Sequence, residues 1–130
     1  MATIQPYCAK EVFDPPSYTQ AIKVTGLQAI LFLSGQIACD DKGRPTHPGD
    51  FLGQARGVFQ AIKAQVGAGG GTLANVVKLT TYMTDVRYRA DLNLVREEFF
   101  GKKIPTSTLV EVCALAHPDL LIEVEAIAVL

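Results

Sequence analysis

The chain ends in a run from Leu121 to Val129 whose side chains alternate between the two faces of a β-strand, and no other segment constrains the fold as strongly. One face carries only aliphatic residues: Ile122, Val124, Ala126 and Ala128. The other face carries Glu123 and Glu125 beside larger aliphatic side chains. Two carboxylates at positions i and i+2 form a candidate acid/base site, although glutamates on most strand faces are solvated or paired with Lys or Arg. The run therefore predicts a strand and leaves two interpretations of its carboxylates.

The first half of the chain predicts a hairpin followed by a helix. Residues 1–15 contain prolines and predict an irregular or extended lead-in, because proline disfavours helix at the residue before it. Residues 18–24 and 29–37 are rich in β-branched, aromatic and aliphatic residues and predict the two strands of a hairpin. Asp50 is the expected N-cap of a helix with apolar residues at helical spacing, and Gly67 is its expected end.

The second half predicts a strand, a second helix and two more strands. The first strand is expected at residues 76–83, and Asp85 is placed to cap a helix that stops at Gly101. The final strands are expected at residues 108–114 and 121–130. The order ββαβαββ predicts an α+β fold, in which both helices lie on one face of a mixed sheet. Residues 1–130 fit a single domain.

Composition limits the classes of partner. The 12 Lys and Arg residues nearly balance the 13 Asp and Glu residues, so no nucleic-acid partner is expected. The longest apolar stretch, residues 29–33, is far shorter than the ~18 residues that indicate a membrane span, so no membrane partner is expected. Hydrophobic residues make up 48% of the chain and charged residues only 19%, which favours an oligomer that buries apolar surface between subunits.

The cysteines predict a reducing compartment. They form an odd set of three, and residues 1–10 lack the basic and apolar regions of a signal peptide, so a cytoplasmic protein is expected. Cys39 and Cys113 lie in apolar runs and are expected to be small buried hydrophobic residues.

Two further patterns lack the spacing of a functional motif. The glycine-rich segment 67–71 follows a predicted helix instead of a strand and does not match a dinucleotide-binding loop, so a helix end and turn are expected there. His47 and His117 each precede a proline in a predicted turn, and the spacing from Cys113 to His117 is not that of a zinc site. No metal is expected.

Polar residues at the ends of two predicted strands are candidate ligand contacts. In Ser34-Gly35-Gln36, the glycine lets the backbone approach a ligand closely, or else it marks a β-bulge. In Pro105-Thr106-Ser107-Thr108, the hydroxyls are able to donate hydrogen bonds to an anion or a carbonyl, or else they are ordinary turn residues.

Several short segments occur in a fixed order along nearly the whole chain. They are Tyr18-Thr19-Gln20-Ala21, Ser34-Gly35-Gln36, Val76-Val77-Lys78-Leu79-Thr80, Tyr82, Asp85, Asn93, Phe99-Phe100 and Ile122-Glu123-Val124-Glu125-Ala126-Ile127-Ala128. Taken together, this set resembles the RidA/YjgF family of reactive-intermediate deaminases. The resemblance implies a chorismate-mutase-like fold, which agrees with the order ββαβαββ, and a homotrimer with three clefts between neighbouring subunits.

The resemblance also implies a reaction and a set of site residues. Members of the family hydrolyse enamines and imines, such as 2-aminoacrylate and its imine tautomer, to a keto acid and ammonia without a metal or an organic cofactor. The position of Glu123 in the family pattern implies that it holds and activates the attacking water, with help from the main chain at Gly35. Tyr18, Ser34 and Asn93 match positions that line or support the pocket.

One departure from the family pattern matters greatly. Where typical imine deaminases of the family have Pro-Ala-Arg-Ser, this chain has Pro105-Thr106-Ser107-Thr108, so Ser107 stands in place of the arginine that clamps the substrate carboxylate. Hydrogen bonds to charged groups contribute about 1.5–3 kcal/mol each, and a hydroxyl does not replace two of them. We therefore expect a larger, less anionic or neutral substrate, anchored through Ser107 and Thr108, instead of a simple 2-imino acid.

The sequence thus predicts a cofactor-free hydrolase that acts on the C–N bond of an imine, an enamine or a related small metabolite, for example an aminomuconate-type ring-cleavage product. The alternative is a non-catalytic trimer that binds a small metabolite as a sensor or chaperone-like module. Ribonuclease activity is disfavoured, because the chain shows neither a basic groove nor the pair of histidines that RNA cleavage usually needs.

Overall fold

The fold combines a four-stranded sheet, a two-stranded sheet and two α-helices. The computed structural model describes residues 2–130. In chain order the elements are β1 (Thr3–Tyr7), β2 (Ala21–Thr25), β3 (Ile30–Gln36), α1 (Phe51–Ala68), β4 (Val76–Met83), α2 (Arg89–Phe100), β5 (Thr106–Glu111) and β6 (Ile122–Val129). Single turns of 3₁₀-helix at Leu73–Asn75 and Val86–Tyr88 precede β4 and α2.

The four-stranded sheet has the strand order β3-β6-β4-β5. Strand β6 is antiparallel to both of its neighbours, and β4 is parallel to β5, so the sheet is mixed. Residues from both helices and from one face of this sheet form a single buried cluster. The predicted α+β class, with two helices on one face of a mixed sheet, is therefore confirmed.

The two faces of β6 differ as the sequence predicts. Ile122, Val124, Ala126 and Ala128 are all at most 2% exposed and lie under the helices. The opposite side of the sheet, which we call the open face, is not covered by the helices. It carries Glu123, Glu125 and Ile127 of β6, Lys78, Thr80 and Tyr82 of β4, Phe32 and Ser34 of β3, and Thr108 and Val110 of β5.

The predicted hairpin is wrong. Strand β2 pairs with β1, which lies in the predicted irregular lead-in, and β3 pairs with β6. The backbone N–H groups of Gln28 and Ala29 donate to the carbonyl of Leu130, so the chain after β2 turns towards the C-terminal strand instead of folding back on β2. Pro6 is tolerated in β1 because a two-stranded sheet consists of edge strands, where a missing N–H is harmless.

The predicted helix ends are close to the observed ones. Asp50 caps α1 by accepting a hydrogen bond from the N–H of Gly53 at 3.0 Å. The helix continues to Ala68, one residue past the expected stop at Gly67. Asp85 caps the 3₁₀ turn that leads into α2, and α2 ends at Gly101, whose φ of 62° suits a glycine.

The expectation for two cysteines is also wrong. Cys39 and Cys113 are both exposed. Each lies beyond the end of a strand, where the alternation of faces no longer buries alternate residues.

Neither helix of the described residues combines the length and the apolar character that a membrane crossing demands.

A buried glutamine ties α1 to the start of β6. The side chain of Gln54 is fully buried, and its Oε1 accepts a hydrogen bond from the N–H of Leu121 at 2.8 Å. Its Nε2 donates to the carbonyl of Asp119 at 2.6 Å and to that of His47 at 3.3 Å. Every polar atom of the amide is thus used, and the loop that enters β6 is fixed to the helix layer.

Replacing Thr81 by Val is expected to raise the free energy of unfolding by about 1 kcal/mol, because Val has nearly the same shape and removes an unsatisfied hydroxyl. Thr81 lies on the helix side of β4, is fully buried, and its Oγ1 has no hydrogen-bond partner. Urea denaturation measures the change. Thr80→Val on the open face is the matched control and should change stability little. An unchanged or lower urea midpoint for Thr81→Val would contradict the prediction.

Candidate functional site

Glu123 lies on the open face within a cluster of polar groups. It is half-buried and stands opposite Tyr82 in the register of β6 and β4, while Glu125 stands opposite Thr80. The hydroxyl of Tyr82 donates to Oε1 of Glu125 at 3.4 Å. The negative charge of Glu125, followed by burial, raises the pKa of Tyr82 above its ordinary value, and Glu123 adds to the same effect. The phenol therefore stays protonated and able to donate beside the two carboxylates.

Gly35 lies directly against the Glu123 side chain. A Cβ atom built on Gly35 would lie 2.5 Å from Oε2, 2.7 Å from Cδ and 2.8 Å from Cγ of Glu123, closer than real Cβ contacts allow. The pairing of β3 with β6 also shifts between Leu33 and Gln36, which is a β-bulge. The β-bulge interpretation of this glycine is confirmed, and the bulge brings the backbone against the carboxylate.

This contact creates a place where a carboxylate and peptide groups meet at the edge of the sheet. Ser34, the other residue of the bulge, is exposed, and its carbonyl accepts a hydrogen bond from Nε2 of Gln36 at 2.9 Å. A depression of about 290 Å³ adjoins the bulge on the open face. It is lined by Phe32, Ser34, Lys78, Thr80, Glu125 and Ile127, among others. We call Glu123, Ser34 and Gly35 the glutamate half of the site.

A second group of predicted site residues lies at the opposite edge of the sheet, beside β5. The N–H of Thr19 donates to the carbonyl of Pro105 at 3.3 Å, and its hydroxyl donates to the carbonyl of Ile104. These bonds hold the half-buried Tyr18 close to the start of β5. Asn93 of α2 and Ser107 of β5 lie in the same region, and both are hydrogen-bonded to one side chain that lies between them.

That residue is Arg96 of α2, which the sequence reasoning missed. It is only 4% exposed, its Nη1 donates to Oγ of Ser107 at 2.7 Å, and its Nη2 donates to Oδ1 of Asn93. Burial lowers the pKa of Arg96 from its ordinary value, the positive charge of Arg89 lowers it further, and Tyr18 acts in the opposite direction. The sequence did hold a signal, because Arg96 follows Leu92 by four residues and so falls on the buried face of the helix. We call Tyr18, Asn93, Arg96 and Ser107 the arginine half.

The two neighbouring hydroxyl residues of β5 point to opposite faces, as successive residues of a strand must. Ser107 turns to the helix side and contacts Arg96. Thr108 lies on the open face, in register with Thr80, which in turn stands opposite Glu125. Within one chain, therefore, the predicted site residues divide between the two edges of the sheet. Among residues 2–130, no group of three or more His, Cys, Asp or Glu side chains is placed to hold a metal ion.

Comparisons with known proteins agree on one family. The sequence model described as Endoribonuclease L-PSP matches residues 13–130. A RutC family protein from Pyrococcus horikoshii is 42% identical over 111 residues, which cover 85% of each chain. Among solved structures, the Rid family protein YyfB from Yersinia pestis is similar with a TM-score of 0.87 and 27% identity, covering 98% of both chains. RidA from an Antarctic Psychrobacter is similar with a TM-score of 0.72 and 32% identity, covering 97% of this chain and 94% of that one.

Proposed function

The chain belongs to the RidA/YjgF family, whose sequence model is described as Endoribonuclease L-PSP, and from this premise we propose that it is a cofactor-free hydrolytic deaminase of an imine or enamine. Family membership by itself supports a role in deaminating or binding a small metabolite. The observation that carries the finer proposal is the contact between the Glu123 carboxylate and the backbone of Gly35.

The chemistry needs only a positioned water and a route for its protons. An imine carbon is already electrophilic, so a water held between Glu123 and the main chain at Gly35 adds to it as one water proton passes by way of the carboxylate to the imine nitrogen. The product of this addition has a hydroxyl and an amino group on the same carbon. Glu123 then takes the proton of the hydroxyl group and delivers it to the amino nitrogen, so that the C–N bond breaks, ammonia leaves and a carbonyl forms. An enamine reaches the same path after tautomerising to the imine.

A cyclic assembly would unite the two halves of the site. Strands β3 and β5 are the two edges of the sheet, and they carry or adjoin the glutamate half and the arginine half respectively. A head-to-tail interface that sets β3 of one subunit beside β5 of the next closes into a ring when the rotation fits. Exposed apolar side chains lie on the same edges, with Ile30 45%, Phe32 76% and Val110 39% exposed. These features support the homotrimer with inter-subunit clefts that the family resemblance implies.

Ser107 governs the expected choice of substrate. No guanidinium from position 107 clamps a carboxylate, so a simple 2-imino acid loses two charge-assisted hydrogen bonds and has few other atoms to hold it. We propose a larger substrate with further contacts in the cleft, in a cytoplasmic protein whose residues 1–130 act as one domain.

The substrate prediction is tested by following ammonia after the purified protein is mixed with freshly generated 2-aminoacrylate or with an aminomuconate-type compound. We expect little acceleration with the first compound and a clear acceleration with the second. Rapid release from 2-aminoacrylate at low protein concentration would contradict the role assigned to Ser107.

The second candidate function is non-catalytic binding of a small metabolite in the same clefts. The absence of an arginine at position 107 favours it, because recognition then depends on neutral donors. Calorimetry that shows tight binding of a compound with no release of ammonia would support this alternative. Ribonuclease activity has less support, since each histidine lies beside its own aspartate in a separate turn: Nδ1 of His47 is 3.9 Å from Asp50, and that of His117 is 3.9 Å from Asp119.

A further inference from the structure

Starting from the function proposed above, we propose that Arg96 is a positioning residue that turns Asn93 and Ser107 into a recess for a carboxylate of the substrate, although no arginine occupies position 107. The substrate class then narrows to imines and enamines that carry a carboxylate and are large enough to need other contacts as well.

The hydrogen bonds of Arg96 fix the direction in which its two partners donate. A guanidinium only donates, so Ser107 and Asn93 must both accept from it. Acceptance through Oγ leaves the single hydroxyl hydrogen of Ser107 free to point elsewhere. Acceptance through Oδ1 likewise turns the amide nitrogen of Asn93 away from Arg96 as a donor. Both side chains therefore present hydrogen-bond donors on the side that does not face the arginine.

The positive charge behind these donors has no partner of opposite sign. The salt bridges among residues 2–130 join other side chains, and none includes Arg96. Its Nε is buried without a hydrogen-bond partner, and both acceptors of its Nη groups are neutral. A buried charge without a counterion is costly, so an anion bound in front of Ser107 and Asn93 would be stabilised by the field of the guanidinium.

A ligand has a way to reach Asn93. Asn93 lines a crevice of about 390 Å³ at the surface. The other residues that line it are Pro16, Ser17, Glu97, Gly101, Lys102 and Ile104. The charges of Lys102 and Glu97 at its edge offset each other, which leaves the positive charges of Arg96 and Arg89 on α2.

The arrangement differs from a direct arginine clamp. Here the ligand meets two neutral donors, while the charge lies one side chain further away. The site still selects a carboxylate, but it binds the carboxylate less tightly than two charge-assisted hydrogen bonds would. A short 2-imino acid is therefore a poor substrate, whereas a longer carboxylate gains the contacts that it needs.

The test measures binding of two matched probes by calorimetry: sorbate, an extended diene carboxylate, and sorbamide, its uncharged amide of the same shape. We expect the unaltered protein to prefer sorbate by about tenfold or more, and Arg96→Met to reduce the preference to about threefold or less. Arg96→Lys keeps the positive charge but loses the two Nη donors of the guanidinium, so its preference for sorbate should lie between those of the unaltered protein and Arg96→Met. Lys63→Met removes a charge from the exposed surface of the other helix, α1, and should leave the preference intact.

Stability measurements separate positioning from a purely structural role. Because Arg96 is an unpaired buried charge, Arg96→Met should keep or raise the melting temperature. Asn93→Asp should also raise the melting temperature, and it should abolish the preference for sorbate because the new carboxylate forms an ion pair with the guanidinium of Arg96. The proposal is overturned if the unaltered protein binds neither probe or binds both equally, or if Arg96→Met lowers stability while the preference survives. Neither probe can be deaminated, so this binding test does not depend on turnover, and a failure of the deaminase proposal would remain distinguishable.

Discussion

Replacing Glu123 by Gln is expected to slow ammonia release by about 10²–10⁴-fold, the range over which a positioned acid or base contributes to a rate. Glutamine has the same shape but neither accepts the proton of the attacking water nor returns one to the leaving nitrogen. The substitution leaves β6 in place, because Glu123 lies on the open face and contributes nothing to the buried cluster under the helices. Single-turnover measurements of ammonia with the preferred substrate, together with the oligomer mass, test both parts of this expectation.

Glu125→Gln is the matched comparison for this variant. Glu125 lies two residues further along the same strand face and receives a hydrogen bond from Tyr82, but its side chain is exposed. We expect it to lose less than about tenfold in rate, since it does not contact Gly35, where the proposed mechanism places the water. Equal losses of rate for the two variants would contradict the prediction. They would mean that the rate depends on the total negative charge of the strand face and not on one positioned carboxylate.

Replacing Gly35 by Ala is expected to lower the rate by about 10²-fold with little loss of stability. The new methyl group would overlap the end of the Glu123 side chain, which must move by roughly an ångström, and displacements of that size cost catalysis about two orders of magnitude. The overlapping atoms belong to a flexible side chain and not to backbone, so the fold can accommodate the change. The rate and the urea midpoint are measured on the same preparation.

Gly67→Ala provides the matched control for the glycine substitution. Gly67 lies within α1, and a Cβ atom there meets nothing within 4 Å. The change should stabilise the protein by about 0.5–1 kcal/mol through helix propensity and leave the rate unaltered. If Gly35→Ala were as active as Gly67→Ala, the close contact with Glu123 would have no catalytic meaning.

Local sequence signals predicted most of the elements. The strand at residues 76–83 has the expected bounds, and Asp50 and Gly101 mark helix ends where capping rules place them. The alternation in β6 also identified its buried face correctly. These features depend on neighbours in the chain, and so one sequence contains the information.

Features that depend on distant parts of the chain were missed. The pairing of β1 with β2 and of β3 with β6 is decided by contacts between segments, and a plausible hairpin pattern gave the wrong partner. Arg96 was overlooked for a related reason. A charged residue on a helix face becomes informative only when its surroundings show burial and neutral partners, and these come from β5.

The division of the site between an inner strand and an edge has an evolutionary consequence. Glu123 stands on β6, which is flanked on both sides, whereas Ser107 stands on β5, which has one neighbour in the four-stranded sheet. Substitutions around β5 can therefore change which compound is selected without disturbing the strand that carries Glu123. A lineage built on this plan can acquire new metabolic roles while its reaction chemistry stays constant.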